Sequence, residues 1–213
     1  MGRRISDDRV GKVRQQKSKI IIAVEGKNKT EKLYFDNFDD GKKSYSITIA
    51  KGNDTDPLKL VKSLDKEIKK IGLDLSNGDM AFCVFDTDFD SNKNKIIKEA
   101  KDYATQRGIV IITSSPCVEL WFLLHYEYTT ATLSNSEVIK RLKQYYPKYE
   151  KNINIYPEIN DKVNSAIKKA KRLEKHQIEN NKQIGTVEAN PSTEMYKIVE
   201  YLIKKETAQK FNN

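Results

Sequence analysis

The sequence predicts an α/β fold, a parallel sheet with helices on both faces. Two observations carry this. Short apolar runs rich in β-branched residues recur along the first half of the chain, and each is followed by apolar residues at helical spacing. A third observation bears on function: two of the apolar runs end in acidic residues, although the chain as a whole is basic.

The elements follow in order. Residues 19–24 (KIIIAV) form a continuous apolar run closed by Glu25, as in a strand buried on both faces. Gly26 permits a tight turn, and Leu33, Tyr34, Phe35 and Phe38 then fall at helical spacing. Tyr45 to Ala50 alternates as a strand. Pro57 opens a helix through Leu58, Val61, Leu64, Ile68 and Ile71, which Gly72 ends. Met80 to Phe85 is a third strand closed by Asp86. A helix from about Ser91 carries Ile96, Ile97, Ala100 and Tyr103 and stops at Gly108. Ile109 to Thr113 is a fourth strand, and after Ser114, Ser115 and Pro116 an apolar helix runs from Val118 to His125. Strands alternating with helices imply parallel pairing through crossover helices.

Three further helices are predicted, Glu137 to Tyr145, Asp161 to about Asn181 and Thr193 to Ile203, packed beside the sheet. Residues 1–18, with Arg3, Arg4, Arg9, Lys12, Arg14 and Lys17, read as a flexible basic arm. Residues 19–125 are then the α/β core, and residues 126–213 a helical extension of the same domain. A chain of 213 residues suits one such core. No internal repeat is visible.

Lys plus Arg total 39 against 30 Asp plus Glu, a formal charge of +9. That excess favours an anionic partner, of which nucleic acid is the commonest. Cys83 and Cys117 form no CxxC pair, so a zinc ribbon is not indicated; both sit in apolar stretches, as reduced thiols of a cytoplasmic protein do. No apolar stretch is long enough to span a bilayer, and the basic N-terminus lacks the apolar core of a signal peptide.

In open parallel sheets ligands bind beyond the carboxyl ends of the strands. Here those ends carry Glu25, then Asp86-Thr87-Asp88-Phe89-Asp90, then Thr113-Ser114-Ser115. Converging carboxylates repel one another without a cation, and hard oxygen donors suit Mg²⁺ or Mn²⁺. Asp90, beside Ser91, reads equally as a helix cap. Lys27 and Lys29 follow Glu25-Gly26 and place cations at the start of the next helix, itself an anion site. Glu119, in an apolar helix beside Trp121 and Phe122, needs a charge partner or a role. Trp121 reads as core, and His125 as a helix-end imidazolium favoured by the dipole. Lys168, Lys169, Lys171 and Arg172, with Tyr145, Tyr146, Tyr149 and Tyr156 before them, make a candidate nucleic-acid surface; a solvated helical face is the plain alternative.

Other strand-end aspartate chemistries fit less well. A haloacid-dehalogenase-type motif would close the first strand rather than the third, a receiver domain needs a fifth strand followed by Lys, and no Walker phosphate loop is present.

The runs IIAVEGKNKTEKLYFDNF, FCVFDTDFD, SSPCVELWFLLHY and NPSTEMYKIVEYL together resemble the RloB-like proteins, Toprim-type proteins of bacterial restriction and phage-defence loci. The resemblance spans residues 20–203. Ser115 departs from it, since the family has Asn before the proline; a serine there can still cap the next helix. The resemblance implies a Toprim-like fold and a Mg²⁺-dependent nuclease. It also implies Glu25 as general acid or base, with Asp86 and Asp88 as metal ligands. With Lys27 these residues form the expected catalytic set, and Asp90 and Glu119 extend the ligand set. The expected substrate is RNA (tRNA included) or DNA. The expected partners are nucleic acid and a partner ATPase (RloA-like) of a defence locus. The second reading is a non-catalytic component of such a complex that binds metal and nucleic acid.

Overall fold

The computed structural model describes residues 17–26, 29–51, 54–88 and 93–211. The basic arm up to residue 16, Lys27 and Asp90 lie outside the described residues. Among those residues, β1 (Ser18–Val24), β2 (Tyr45–Ile49), β3 (Met80–Asp86), β4 (Val110–Ser115) and β5 (Ser192–Thr193) form one sheet in the order β2-β1-β3-β4-β5. The first four strands pair in parallel and β5 runs antiparallel to β4. The chain is therefore an α/β protein with the mostly parallel sheet that the alternating pattern predicts, consistent with the Toprim-like fold that the resemblance implies.

Strand side chains point alternately to opposite faces, so continuous apolar runs feed two cores. Ile20, Ile22, Val24, Phe82, Val84 and Ile112 pack on one face; Ile21, Ala23, Ala81, Cys83 and Phe85 pack on the other. The first face is covered by α1 (Lys29–Phe35), α4 (Glu119–Leu124), α5 (Asn135–Tyr145), α6 (Tyr156–Ile159), α7 (Val163–Glu179) and α8 (Met195–Phe211). The second is covered by α2 (Pro57–Ile71) and α3 (Lys93–Thr105). Both cysteines are buried and free.

Local chemistry sets the helix limits. The Asp56 side chain accepts from the Lys59 amide, Pro57 occupies the first turn, and Gly72 takes a left-handed φ of 62° that ends α2. Leu60, Val61, Leu64 and Ile68 bury the stripe between. Ser134 and Glu137 form a reciprocal capping box, so α5 starts at Asn135 rather than Glu137.

Three expectations shift. The helix expected from Thr193 begins at Met195, because Ser192 and Thr193 pair with Ser115 and Ser114 as a fifth strand. Glu194 secures that strand: its amide donates to the Thr113 carbonyl at 2.8 Å, and its carboxylate accepts from the Thr113 hydroxyl at 2.7 Å. The helix expected from Asp161 starts at Val163, after a 3₁₀ turn over Asn160–Lys162. Ser115 does not cap α4. Its hydroxyl is buried without a hydrogen-bond partner among the described residues, a cis bond joins it to Pro116, and Val118 holds the cap position. No helix among the described residues is long and apolar enough to cross a membrane.

The deepest polar contact in the first core joins α4 to α1. Trp121 and Tyr34 are 0% and 1% exposed, and the indole Nε1 donates to the Tyr34 hydroxyl at 2.9 Å. Tyr34→Phe strands that N–H in an apolar core and is expected to cost about 1–3 kcal/mol, read as a lower urea midpoint. An unchanged midpoint would show that another acceptor replaces the hydroxyl.

Candidate functional site

The connection from β1 leads to β2 on one side, and that from β3 leads to β4 on the other. The carboxyl ends of β1 and β3 therefore flank the switch point of the sheet, where a crevice opens. Glu25 and Asp86 stand there. The Asp86 amide donates to Glu25 Oε2 at 3.1 Å, which ties the two strand ends together. Gly26 turns the chain away with φ 63° and donates its amide to the Asp54 carbonyl at 3.0 Å. Thr87 and Asp88 donate their amides to the carbonyls of Ser114 and Pro116, at 2.9 and 3.3 Å. Asp88 is held at φ 50°, a left-handed conformation that costs a non-glycine residue about 1–2 kcal/mol.

Two helices bring further acids to the same place. Glu31 lies on the buried stripe of α1 with Thr30, Tyr34 and Phe35, is 2% exposed, and has an Oε2 without a partner among the described residues. Glu119 opens α4 and is also 2% exposed. The Tyr149 hydroxyl donates to its Oε1 at 3.2 Å, and Lys151 Nζ lies 3.9 Å away. Nearer solvent, Lys93 ion-pairs with Asp88 and stands 3.8 Å from Glu25 Oε1, while Asn135 Nδ2 donates to Asp88 Oδ1 at 3.2 Å. The acids thus form a buried pair, Glu31 and Glu119, behind a wetter pair, Glu25 and Asp88, with Asp86 between strand and crevice.

The electrostatics show that these groups feel one another. Burial raises Asp86 well above the usual carboxylate range, and Glu31, Glu119, Glu25 and Asp88 raise it further. Glu31 is pushed up to about 7 by burial and then by Glu119 and Glu25. Glu25 is raised by burial, against the Asp86 amide and Lys93. Burial pulls the Lys93 ammonium down, but Asp88, Glu25 and Asp86 outweigh it and hold it above its ordinary value. The effect reaches the neighbouring thiols: burial and Glu119 raise Cys117, and burial and Glu25 raise Cys83.

As placed, no three His, Cys, Asp or Glu side chains among the described residues gather tightly enough to form a ready metal-ligand set. The donor chemistry still fits a hard cation. The donors are carboxylate oxygens, they repel one another, and one buried oxygen of Glu31 has no hydrogen-bond partner among the described residues.

Of the expected site residues, Glu25, Asp86, Asp88 and Glu119 come together. Lys27 and Asp90 lie outside the described residues. Lys29 is exposed at the start of α1, but its amide donates to Asn152 Oδ1 at 3.0 Å, so a protein side chain takes the place foreseen for an anion. On α7, Lys169 donates to the Tyr126 carbonyl, Lys171 pairs with Glu200 at 2.7 Å, Arg172 lies 4.2 Å over the Tyr128 ring, and Lys168 is exposed. His125 is no imidazolium: it is 3% exposed, its Nδ1 lies 2.9 Å from the Trp121 carbonyl, and burial pushes it down to about 4. Glu31, Lys93, Asn135 and Lys151 were not foreseen, and Tyr149, expected on a nucleic-acid surface, is instead buried against Glu119 by the packing of the first core. Glu31 carried a usable signal, a carboxylate three and four residues before the buried Tyr34 and Phe35, as with Glu119 in its own helix. The others reach the site only through tertiary contact.

The raised Glu31 has a stability consequence with a definite sign. A carboxyl near 4.5 when unfolded and about 7 when folded favours the fold fully below the lower value, and that contribution is lost as pH rises through the upper one. Without divalent cation, Glu31→Gln is therefore expected to gain stability over the natural protein between pH 4.5 and 8, by roughly 2–3 kcal/mol. Urea unfolding at both pH values measures this, and parallel pH profiles would disprove it.

No curated protein and no solved structure matches the chain. A family model described as RloB-like protein matches residues 20–202. That span runs from β1 into α8 and contains Glu25, Glu31, Asp86, Asp88 and Glu119. The chain that places these acids at the switch point of its sheet belongs to the family of RloB-like proteins.

Proposed function

We propose that this protein is a Mg²⁺- or Mn²⁺-dependent nuclease that hydrolyses phosphodiester bonds of RNA or DNA in bacterial phage defence. The observation that carries the reading is the convergence of mutually repelling carboxylates at the sheet's switch point, in a chain of net charge +9. Glu31, Asp86 and Glu119, with Glu25 and Asp88 at the mouth, would hold the ion. Once bound, such an ion polarises a phosphate oxygen and lowers the pKa of a water.

The chain's own groups supply the rest. Glu25 is partly exposed and raised by burial, which suits it to take a proton from an attacking water and return it to a leaving oxygen. Lys93, held between Asp88 and Glu25, offers its ammonium to a phosphate oxygen as charge develops there. Tyr149 and Lys151 hold Glu119 through its Oε1.

A second reading has one observation in its favour. Lys93 balances charge on Asp88 and Glu25, which suits a non-catalytic component that binds metal structurally, binds nucleic acid and works with a partner ATPase.

Glu25→Gln and Asp86→Asn separate the two. Each is expected to lower Mg²⁺-dependent cleavage of RNA or DNA oligonucleotides by about 10²–10⁴-fold with unchanged circular dichroism. Mg²⁺ should raise the thermal midpoint of the natural protein and not that of Asp86→Asn. Cleavage surviving in both variants would refute the nuclease reading, and binding without turnover in the natural protein would favour the second.

A further inference from the structure

A cleft of about 830 Å³ lies along α3, walled on its other side by the segment 181–188 that follows α7. Lys95, Lys98, Lys101 and Lys182 line it, against Asp102 and Glu188, so four cations face two carboxylates. Two side chains hold the walls together. Asn94 Nδ2 donates to both oxygens of Glu188, at 2.9 and 3.0 Å, and Asn94 Oδ1 accepts from the Val187 amide at 3.2 Å. Lys101 donates to the Ile184 carbonyl at 2.9 Å. Glu188 and Lys101 are thereby engaged in shaping the cleft. Lys95 and Lys98, exposed on neighbouring turns of α3, and Lys182 on the opposite wall are left to meet a ligand.

Along α3 the cleft begins one residue from the acidic site. Lys93, the partner of Asp88 and Glu25, is the first residue of α3, and Asn94 already lines the cleft. Lys98 follows about 8 Å further along the helix axis. The cations of α7 offer no comparable track, since Lys169, Lys171 and Arg172 are each held against other parts of the protein.

We propose that this cleft seats the sugar–phosphate backbone of a polynucleotide, with Lys95, Lys98 and Lys182 on its phosphates, and leads the strand to the carboxylates at the switch point. Methylene stems of the lysines make the walls largely apolar, a surface that sugars can lie against while the ammonium groups meet phosphate oxygens. The inference rests on the nuclease reading for what happens at the end of the track, but the binding itself does not.

Fluorescence anisotropy tests it, using labelled single-stranded RNA and DNA oligonucleotides with EDTA present to prevent turnover. Lys95→Glu/Lys98→Glu is expected to weaken binding by about tenfold or more at low salt, and to lower the slope of log affinity against log salt by about 1.4, the share of two single-strand phosphate contacts. Both positions are exposed, and the milder Lys95→Gln/Lys98→Gln should shift binding in the same direction. Lys175→Glu/Lys204→Glu, on α7 and α8, makes the same change in net charge at exposed positions outside the cleft and should weaken binding much less.

Equal losses for the two charge-reversed pairs would reduce the effect to net charge and overturn the proposal. So would a natural protein that binds neither oligonucleotide at low salt. A Glu25→Gln variant that binds as the natural protein does, yet cleaves nothing, supports the cleft. A natural protein that binds through Lys95 and Lys98 but never cleaves upholds the cleft and refutes only the nuclease reading. Preference for the RNA or the DNA arm identifies the source of the backbone.

Discussion

Apolar layers pressed onto both faces of a parallel sheet leave its charged side chains the strand ends as their natural outlet. In this molecule the two central strands, β1 and β3, end in Glu25 and Asp86. Helices α1 and α4 add Glu31 and Glu119 because those acids share a helix with residues that must be buried. Seating Tyr34, Phe35, Leu120 and Trp121, each 1% exposed or less, contributes about 1.5–3 kcal/mol per large apolar side chain. The unfavourable burial of one Glu31 carboxyl, at a few kcal/mol, cannot undo that sum. The acids are held together by packing that they themselves oppose.

That opposition gives the site its character. Burial and mutual repulsion push the Glu31 and Asp86 carboxyls upward, which favours their neutral forms. Part of the repulsion is relieved by Lys93 and Lys151, which bring positive charge to the outer and inner acids. Among the described residues the buried Oε2 of Glu31 is left without a partner. Mutually repelling acids thus gather in one crevice of a protein that carries a net positive charge, and the proposed metal-assisted chemistry rests on that contrast.

The sheet was legible because burial on both faces writes itself into three continuous apolar runs beside the alternating edge strand β2, and the strand-end acids could be read from two of those runs. Helix α2 was legible at both ends because Asp56, Pro57 and Gly72 act through local backbone chemistry. Strand β5 was not, since two residues carry no periodicity and Ser192 and Thr193 extend only because β4 lies alongside them. The imidazole of His125 looked like a helix-end charge and is a neutral core group, a difference made by the layers packed over it.

By itself, then, the sequence determined the α/β class, the order of the parallel strands' elements, and the presence of Glu25, Asp86 and Asp88 at strand ends. All of these depend on residues near one another in the chain. Only the tertiary structure decided that Glu31 faces the same crevice, that Lys93 bridges Asp88 and Glu25, and that the basic cleft opens along α3 rather than α7. Those facts depend on which helices cover which face and on contacts between residues far apart in sequence, such as Glu119 with Tyr149 and Asn94 with Glu188. No local pattern encodes such contacts, because they form only when the sheet's strand order brings the segments together.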